Sequence, residues 1–313
     1  MSRPRLVALR ALGLGDLLTA VPALRALRDA FPDHELVLAA PAALAPLARL
    51  SGAVDVVLDT APLAVPDALA PELAVNLHGR GPESHRALLA TRPRRMLAFA
   101  HPGVPFSGPP WRADEHEVHR WCRLLAESGI PADPSRLDLE APPGGPLAAA
   151  ARGATVVHPG AASPARRWPP GRWAAVARAE RAAGRAVVIT GSAAERALAE
   201  RVAGAAGLPG ESVLASRTDL PGLAAVVAAA GRVLSGDTGV AHLATAFGVP
   251  SVVLFGPTPP ALWGPPADRP RHVALHRGGA GDPHAGAPDP RLLAIGVEEV
   301  VGASERLPGV VHR

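Results

Sequence analysis

The sequence predicts two doubly wound α/β domains, each a parallel sheet with helices on both faces. Short apolar runs alternate with stretches of helical periodicity along most of the chain, and this alternation is typical of parallel sheets. A Pro/Gly-rich stretch, APPGGPLAAAARG at 141–153, interrupts the alternation, which then restarts. The chain has 313 residues, enough for two separate cores. We therefore expect one domain at 1–145 and a second at 146–313.

The first half opens with RLVALRAL, an apolar stretch that predicts a strand ending at Gly13. The segment after it, GDLLTAVPALRALRDAF, repeats its apolar residues at the spacing of one helix face. The same two patterns recur up to the Pro/Gly-rich stretch. In chain order they predict a strand at 5–12, a helix at 15–31, a strand at 35–40, a helix at 41–50, strands at 54–59 and 72–79, and a helix at 114–129.

The second half repeats the strand–helix order, beginning with ATVVHPG and closing its strands with SVVLFGPT. A turn-rich loop, RGGAGDPHAGAPDP at 277–290, separates this series from a final amphipathic helix. The predicted elements are strands at 154–160, 186–192, 233–237 and 251–258, and helices at 171–184, 194–207, 220–231, 239–248 and 297–307. Ligands of such folds usually bind beyond the carboxyl ends of the strands, and we expect them between the two domains.

Composition narrows the classes of protein to consider. Hydrophobic residues make up 48% of the chain and charged residues 19%, as in globular proteins. No apolar run approaches the roughly 20 residues that span a bilayer. The N-terminus, MSRPRLVALRALGLGD, lacks the apolar stretch and cleavage site of a signal peptide. We therefore expect a cytoplasmic protein. A net charge of +4, without a dense basic run, argues against nucleic-acid binding.

Cys122 is the only cysteine, so an internal disulfide and a zinc site built on cysteines are excluded. Its neighbours Trp121 and Leu124 predict a buried helix position rather than a reactive thiol. His276 and His284 lie in or beside the 277–290 loop, where histidines are more often solvated than metal-bound. We expect no metal site.

The strongest motif is SGDTGVAHLATAFGVPSVVLFGPTPPALWGP at 235–265. Asp237, Thr238 and Gly239 lie where a predicted strand ends and a helix begins, and free backbone N–H groups at such a point suit a phosphate. Thr238 adds a hydroxyl donor, and His242 follows one helical turn later. The residues alone leave a second interpretation open, in which Asp237 caps the helix and His242 belongs to the core.

Five segments, in the same order, resemble those of glycosyltransferase family 9, the ADP-heptose:lipopolysaccharide heptosyltransferases and their relatives. They are LGLGDLLTAVPALRALRDAFP, AVNLHGRGPESHRALL, VVHPGAASPARRWPPGRW, VVITGSAAERALAERV and the 235–265 motif. The resemblance covers nearly the whole chain. It implies the GT-B fold of that family, two Rossmann-like domains facing across a cleft.

The resemblance also implies roles for individual residues of the first domain. Asp16, on the Gly13–Gly15 loop, matches the family's general base, which would take the proton of an attacking acceptor hydroxyl. A helix cap is the other role open to this aspartate. The acceptor-side residues implied by the same segments are Gly15, Asn76, His78 and Arg80.

The donor-side roles fall on the second domain. Arg166 stands where the family usually has lysine and would stabilise the charge on the leaving diphosphate, although the adjacent Arg167 could serve instead. Glu195 matches an acid that contacts the donor's ribose; a solvent-facing acid is the other interpretation. The donor-binding residues implied are Arg167, Gly191, Glu195, Asp237, Thr238, Gly239 and His242.

Together these matches imply an inverting, metal-independent transferase without a cofactor. Its donor would be a nucleotide sugar resembling ADP-heptose, and its acceptor a hydroxyl of a glycan, a lipid-linked glycan or a natural product. At most peripheral membrane contact is expected. Three alternatives stay open: another GT-B enzyme such as a nucleotide-sugar epimerase, a non-catalytic nucleotide-sugar-binding protein, and a dinucleotide-dependent oxidoreductase. Leu18 replaces the third glycine of the dinucleotide fingerprint, which disfavours the last.

Overall fold

The protein, analysed as a computed structural model, is described at residues 3–60, 63–65 and 69–309. The chain divides into two compact units, Met1–Leu137 and Asp138–Arg313. This division precedes both the Pro/Gly-rich stretch at 141–153 and the expected boundary between residues 145 and 146. Part of that stretch, Pro146–Ala150, forms a short helix of the second unit.

The first unit contains a parallel five-stranded sheet and four α-helices within its described residues. The strands are β1 (Arg5–Leu9), β2 (Glu35–Ala40), β3 (Val56–Asp59), β4 (Leu73–Asn76) and β5 (Arg95–Leu97). The helices are α1 (Leu14–Ala30), α2 (Ala45–Leu50), α3 (Glu83–Ala90) and α4 (Glu117–Ala126). The strand order is β3-β2-β1-β4-β5, so the chain reverses its direction of winding between β1 and β4. Ligands of doubly wound sheets bind at such a point.

The second unit has the same kind of sheet in a different order. Its strands are β6 (Thr155–His158), β7 (Val187–Ile189), β8 (Arg232–Gly236), β9 (Ser251–Leu254) and β10 (His272–Leu275), in the spatial order β10-β9-β8-β6-β7. Its helices are α5 (Pro146–Ala150), α6 (Pro170–Ala182), α7 (Arg196–Ala206), α8 (Leu220–Ala229), α9 (Gly239–Ala246), α10 (Pro260–Trp263), α11 (Pro290–Leu293) and α12 (Val297–Glu305). The winding reverses between β6 and β8, where His158 pairs with Ser235.

The predicted class, two doubly wound α/β units, is confirmed, and the differences concern short elements. β5 was not predicted from the sequence, because it has three residues and buries only two of them. The predicted strand series ended at 258 and so missed β10, an edge strand whose buried residue is a histidine. No element was predicted for the 83–90 segment, which forms α3. The predicted helix at 41–50 begins with a 3₁₀ turn at Ala42–Leu44.

A buried acid fastens the outer layers of the second unit. Glu180 on α6 accepts hydrogen bonds from Thr155 Oγ1 at 2.6 Å and Ser304 Oγ at 2.7 Å, and it pairs with Arg185. Burial opposes ionisation, but these donors together hold the pKa of Glu180 below its usual value. The carboxylate therefore joins α6 to β6 and α12 without an unpaired buried charge.

No helix in the described part of the chain is long and apolar enough to cross a membrane. Cys122 lies buried on α4, as predicted, and burial raises the pKa of its thiol to about 12. A thiol in this state is a poor nucleophile at neutral pH.

Candidate active site

Asp16 lies just beyond the end of β1, in the first turn of α1. Gly13 is the N-cap of this helix, and its backbone N–H donates to Oδ2 of Asp16 at 3.1 Å. The side chain is still 26% exposed. Asp16 therefore fastens the helix start while it presents an open carboxylate face. Gly15 lies beside it, half-buried in the same turn.

The other oxygen of Asp16 faces a buried cation that the sequence analysis did not single out. Arg10 follows β1 directly, and its side chain is fully buried. Its Nη2 donates to Oδ1 of Asp16 at 3.3 Å and to Oε1 of Glu117 at 2.9 Å. The guanidinium also lies 4.8 Å from the ring centre of Trp121. The only signal in the sequence was an arginine at the end of an apolar strand.

The acceptor-side residues follow β4, the strand that pairs with β1 on this side of the sheet. Asn76 is fully buried, and its Oδ1 accepts the backbone N–H of His78 at 3.0 Å. Its Nδ2 donates to Ser84 Oγ at 2.9 Å. These bonds fix the path of the loop that carries His78 and Arg80. Arg80 itself is exposed to solvent.

His78 is held neutral near Asp16. Burial lowers the pKa of this histidine, Arg10 lowers it further, and Asp16 partly opposes both. The ring nitrogen Nδ1 is buried and has no hydrogen-bond partner among the described residues. A neutral imidazole has one donor and one acceptor nitrogen, and the buried Nδ1 is closed to a ligand that arrives from solvent.

In the second unit, the phosphate-binding turn predicted from the sequence lies between β8 and α9. Thr238 is the N-cap of α9, with extended backbone and no capping bond from its side chain, and Gly239 is the first helical residue. The alternative in which Asp237 caps the helix is therefore wrong. The N–H groups of a helix's first turn lack partners within the helix, so this end suits an anion. His242 lies half-buried one turn further on, its ring centre 6.0 Å from that of Trp263.

Arg166 is the cation of this turn. Its Nη1 lies 3.4 Å from the backbone oxygen of Asp237 and 3.7 Å from its Oδ2. Burial raises the pKa of Asp237, and Arg166 opposes that effect. The guanidinium is partly exposed beside the start of α9. Arg166 and the helix end thus supply positive potential at one place.

Glu195 lies beyond the end of β7, next to β6 in the sheet. Its Oε2 accepts the backbone N–H of Ser192 at 2.8 Å and the Ser192 hydroxyl at 2.9 Å. No hydrogen bond from any described residue reaches Oε1. Gly160 and Gly191 leave the space that this side chain occupies, since a Cβ at either position would crowd it. One carboxylate oxygen is therefore fixed, and the other is available to a ligand hydroxyl.

Of the two neighbouring arginines, Arg166 and Arg167, only Arg167 interacts with Glu195. Burial opposes ionisation of Glu195, but the Ser192 N–H, the Ser192 hydroxyl and Arg167 together hold its pKa below the usual value. His158, at the end of β6, is kept neutral because burial lowers its pKa. Arg167 donates from Nε to the backbone oxygen of Ala161 at 2.8 Å. Arg167 therefore belongs with Glu195, whereas Arg166 belongs with the β8–α9 turn.

The turn that carries both arginines is held from two sides. Trp168 is buried against Trp173, with ring centres 5.0 Å apart, and its indole N–H donates to Ile295 O at 3.2 Å. On the other side, the backbone N–H of Ala165 donates to Ala285 O at 3.2 Å, and the N–H of Asp289 donates to Ala165 O at 3.1 Å. The 277–290 loop thus supports the turn.

The predicted site residues fall into two groups, one in each unit. Asp16, Gly15, Asn76, His78 and Arg80 follow β1 and β4; Arg166, Arg167, Gly191, Glu195, Asp237, Thr238, Gly239 and His242 follow β6, β7 and β8. Within the described ranges, no three His, Cys, Asp or Glu side chains form a metal-binding group. Sequence reasoning missed Arg10, Glu117, His158 and Gly160, whose partners are distant in sequence or lie in other loops.

Similar structures show the fold. The ADP-heptose lipopolysaccharide heptosyltransferase II of E. coli aligns over 96% of this chain and 97% of its own, with a TM-score of 0.78 and 19% identity. The iron-containing dodecameric glycosyltransferase TibC of enterotoxigenic E. coli aligns over 97% and 76%, with a TM-score of 0.62 and 15% identity. Together with the two parallel sheets, these neighbours show a GT-B fold of two Rossmann-like units.

Sequence comparisons identify the family. Lipopolysaccharide heptosyltransferase 1 of Pseudomonas aeruginosa is 40% identical over 160 residues, which is 48% of this chain and 42% of that protein. The match therefore spans less than half the length of this curated relative. The sequence model of glycosyltransferase family 9 (heptosyltransferase) matches residues 108–288. Because that match covers more than half of the chain and includes the arginine turn, Glu195 and the β8–α9 turn, the chain belongs to glycosyltransferase family 9.

Proposed function

We propose that this protein is an inverting glycosyltransferase that moves a heptose-like sugar from an ADP-linked donor to a hydroxyl of a glycan acceptor. One observation carries the proposal: the residues matched to the family's site lie at or just beyond the ends of strands at the point of reversed winding in each sheet, or of the strand next to it. Ligands bind there in doubly wound folds. The relatives reported above are heptosyltransferases, and one is described as using ADP-heptose.

The proposed reaction is a single displacement. The acceptor hydroxyl attacks the anomeric carbon, the bond from that carbon to the phosphate oxygen breaks, and the nucleoside diphosphate leaves with the electron pair. Asp16 takes the hydroxyl proton on its exposed face. Because the attack comes opposite to the leaving group, the configuration at the anomeric carbon inverts.

The second unit supplies the electrostatics of departure. Negative charge grows on the diphosphate as the bond breaks, and fixed positive groups stabilise it. Arg166 and the N-terminus of α9 take this role, with Thr238 as a hydroxyl donor. Oε1 of Glu195 accepts a ribose hydroxyl. In this proposal no divalent cation is required, because the arginine and the helix end neutralise the diphosphate.

The test is a panel of ADP-, GDP- and UDP-sugars assayed for release of nucleoside diphosphate, with product stereochemistry read by NMR. We expect release from ADP-linked sugars, inversion of configuration and no effect of EDTA. Retention of configuration contradicts the displacement. Activity that EDTA abolishes and a metal ion restores contradicts metal independence, a relevant outcome because the similar TibC is described as iron-containing.

The setting of the reaction is part of the proposal. We propose a cytoplasmic enzyme whose acceptor is a lipid-linked glycan reached by peripheral contact with a membrane. Fractionation of cells, followed by a wash of the membranes with salt, tests this. A protein that stays in the membrane after the wash contradicts it.

A further inference from the structure

A buried cluster of side chains contacts Asp16, the candidate base, on the side that faces the protein interior. It consists of Arg10, Glu117 and Trp121, none of which the family resemblance singled out. The side chain of Arg10 is fully buried and that of Glu117 is 6% exposed, while Asp16 is 26% exposed. Asp16 is therefore the member of this chain of charges that a ligand can reach.

All three nitrogens of the Arg10 guanidinium donate hydrogen bonds, and two of them donate to Asp16. Nε donates to the backbone oxygen of Asp16 at 2.8 Å, and Nη2 donates to Oδ1 of the same residue at 3.3 Å. Nη1 donates to Leu77 O, on the loop after β4. One planar group thus fixes both the backbone and the carboxylate of Asp16 to the neighbouring strand end.

The far side of Arg10 is just as constrained. Glu117 accepts from Arg10 Nη2 at 2.9 Å, from Trp121 Nε1 at 2.9 Å and from Arg120. The Trp121 ring covers the guanidinium at 4.8 Å. Removal of one partner from such a buried network leaves an unpaired charge, so the geometry is held tightly.

We propose that Arg10 is a positioning residue: it fixes the Asp16 carboxylate in the orientation that accepts the proton of the acceptor hydroxyl. This inference rests on the proposed function. Asp16 Oδ2 is bound by the Gly13 N–H and Oδ1 by Arg10, so rotation of the carboxylate breaks a hydrogen bond at each oxygen. A compact lysine ammonium cannot reach these acceptors together.

A double-mutant cycle tests the proposal, with Arg10→Lys and Arg10→Gln each made in the wild type and in Asp16→Asn. In the wild-type background we expect kcat to fall about 10- to 100-fold, the usual cost of a displaced catalytic group. The Kd for ADP, measured by calorimetry, stays the same. In the Asp16→Asn background the same Arg10 substitutions lower kcat less than about twofold, because the group they position is already absent.

Arg28→Gln is the matched control. Arg28 also lies in the first unit, is mostly buried, and bonds to Ala53 O at 3.1 Å, His34 O at 2.9 Å and Asp55. It is twelve residues from Asp16 along α1, about 18 Å of helix. We expect it to lower Tm without lowering kcat, which separates loss of stability from loss of positioning.

Equal losses of kcat from the Arg10 substitutions in both backgrounds overturn the positioning role. So does an unchanged kcat in Arg10→Lys, the variant that keeps the charge and the buried stem if Arg10→Gln fails to fold. Failure of the proposed function gives a different result. In that case the wild type releases no nucleoside diphosphate from any donor, or Asp16→Asn alone turns over normally.

Discussion

The Glu195 carboxylate occupies the space that a Cβ on Gly160 would need. Even its farther oxygen, Oε2, lies only 2.9 Å from that position. The acid and the loop after β6 are therefore fitted to each other, and a side chain at residue 160 must displace one of them.

Gly160→Ala should weaken binding of ADP roughly tenfold, the scale of one lost hydrogen bond to a charged group. The methyl group pushes Glu195 away from the ribose, whereas pyrophosphate, which has no ribose, should bind as before. Calorimetry with both ligands measures this. Gly210→Ala is the control, because a Cβ there meets nothing within 4 Å. Equal weakening of both ligands would show that Glu195 does not contact the ribose.

Asp16→Asn should lower kcat roughly 10²- to 10⁴-fold, the usual contribution of a general base. The amide keeps an oxygen for the Gly13 N–H, so the helix start is preserved. Binding of ADP should be unchanged because the proposed donor-binding residues belong to the other unit. Initial rates of ADP release give kcat, and calorimetry gives the Kd for ADP. Near-normal turnover would leave Asp16 as a structural residue alone.

Arg166→Gln should weaken pyrophosphate binding more than Arg167→Gln does. Arg166 lies beside Asp237 at the start of α9, whereas Arg167 lies within electrostatic reach of Glu195. A lost charge-assisted contact should cost about 10- to 100-fold in Kd. Competition by pyrophosphate against a fluorescent ADP analogue ranks the two variants. The reverse order would assign the diphosphate to Arg167.

Much of this arrangement could be predicted from the sequence. Elements with several buried apolar residues, such as β2 and α9, appear as clear patterns. Asp16 and Asp237 could be placed because each lies where a strand gives way to a helix. β5 and β10 could not, because β5 buries only two residues and the buried residue of β10 is a histidine.

The roles of Arg10 and Gly160 depend on partners that no local pattern reveals. Glu117 is 107 residues from Arg10 along the chain, and the Gly160 contact depends on the loop after another strand. The choice between Arg166 and Arg167 is a matter of packing: adjacent side chains point to different neighbours once Trp168 is buried. Sequence reasoning can name both arginines but cannot separate them.

The stability of the protein should fall between pH 6.5 and pH 4, partly because of His272. Burial, with help from Arg269 and Arg271, lowers the pKa of His272 from 6.5 to about 4, and Asp138 opposes this. The unfolded chain therefore takes up this proton first as the pH falls, and the folded state loses stability. The expected loss from pH 7 to pH 5 is about 2 kcal/mol.

Urea unfolding of the wild type and of His272→Asn at pH 7 and pH 5 measures the contribution of His272 to this loss of stability. Asparagine can keep a hydrogen bond to Ser251, the partner of His272 Nδ1 at 2.9 Å, and it does not titrate. The variant should lose about 2 kcal/mol less than the wild type on acidification. Identical losses would show that His272 is protonated as readily in the folded protein as in the unfolded chain.

Cys122 should react with a thiol reagent such as DTNB only when the protein unfolds. Burial raises its pKa to about 12, so little thiolate exists in the folded state at pH 8. Since it is the only cysteine, the absorbance reports one site. We expect negligible labelling in buffer and one equivalent in urea. Rapid labelling of the native protein would contradict the buried position on α4.

The two backbone hydrogen bonds at Ala165 limit how the 277–290 loop can evolve. Every residue has a carbonyl and all but proline an N–H, so substitutions that keep the path of the loop leave the support intact. Ala285 accepts the N–H of Ala165, and Asp289 donates to its carbonyl oxygen; three residues separate Ala285 from Asp289. An insertion or deletion within those three residues would break one bond and shift Arg166. The length of the loop is therefore constrained between Ala285 and Asp289, and a loop grafted from a relative must preserve that spacing.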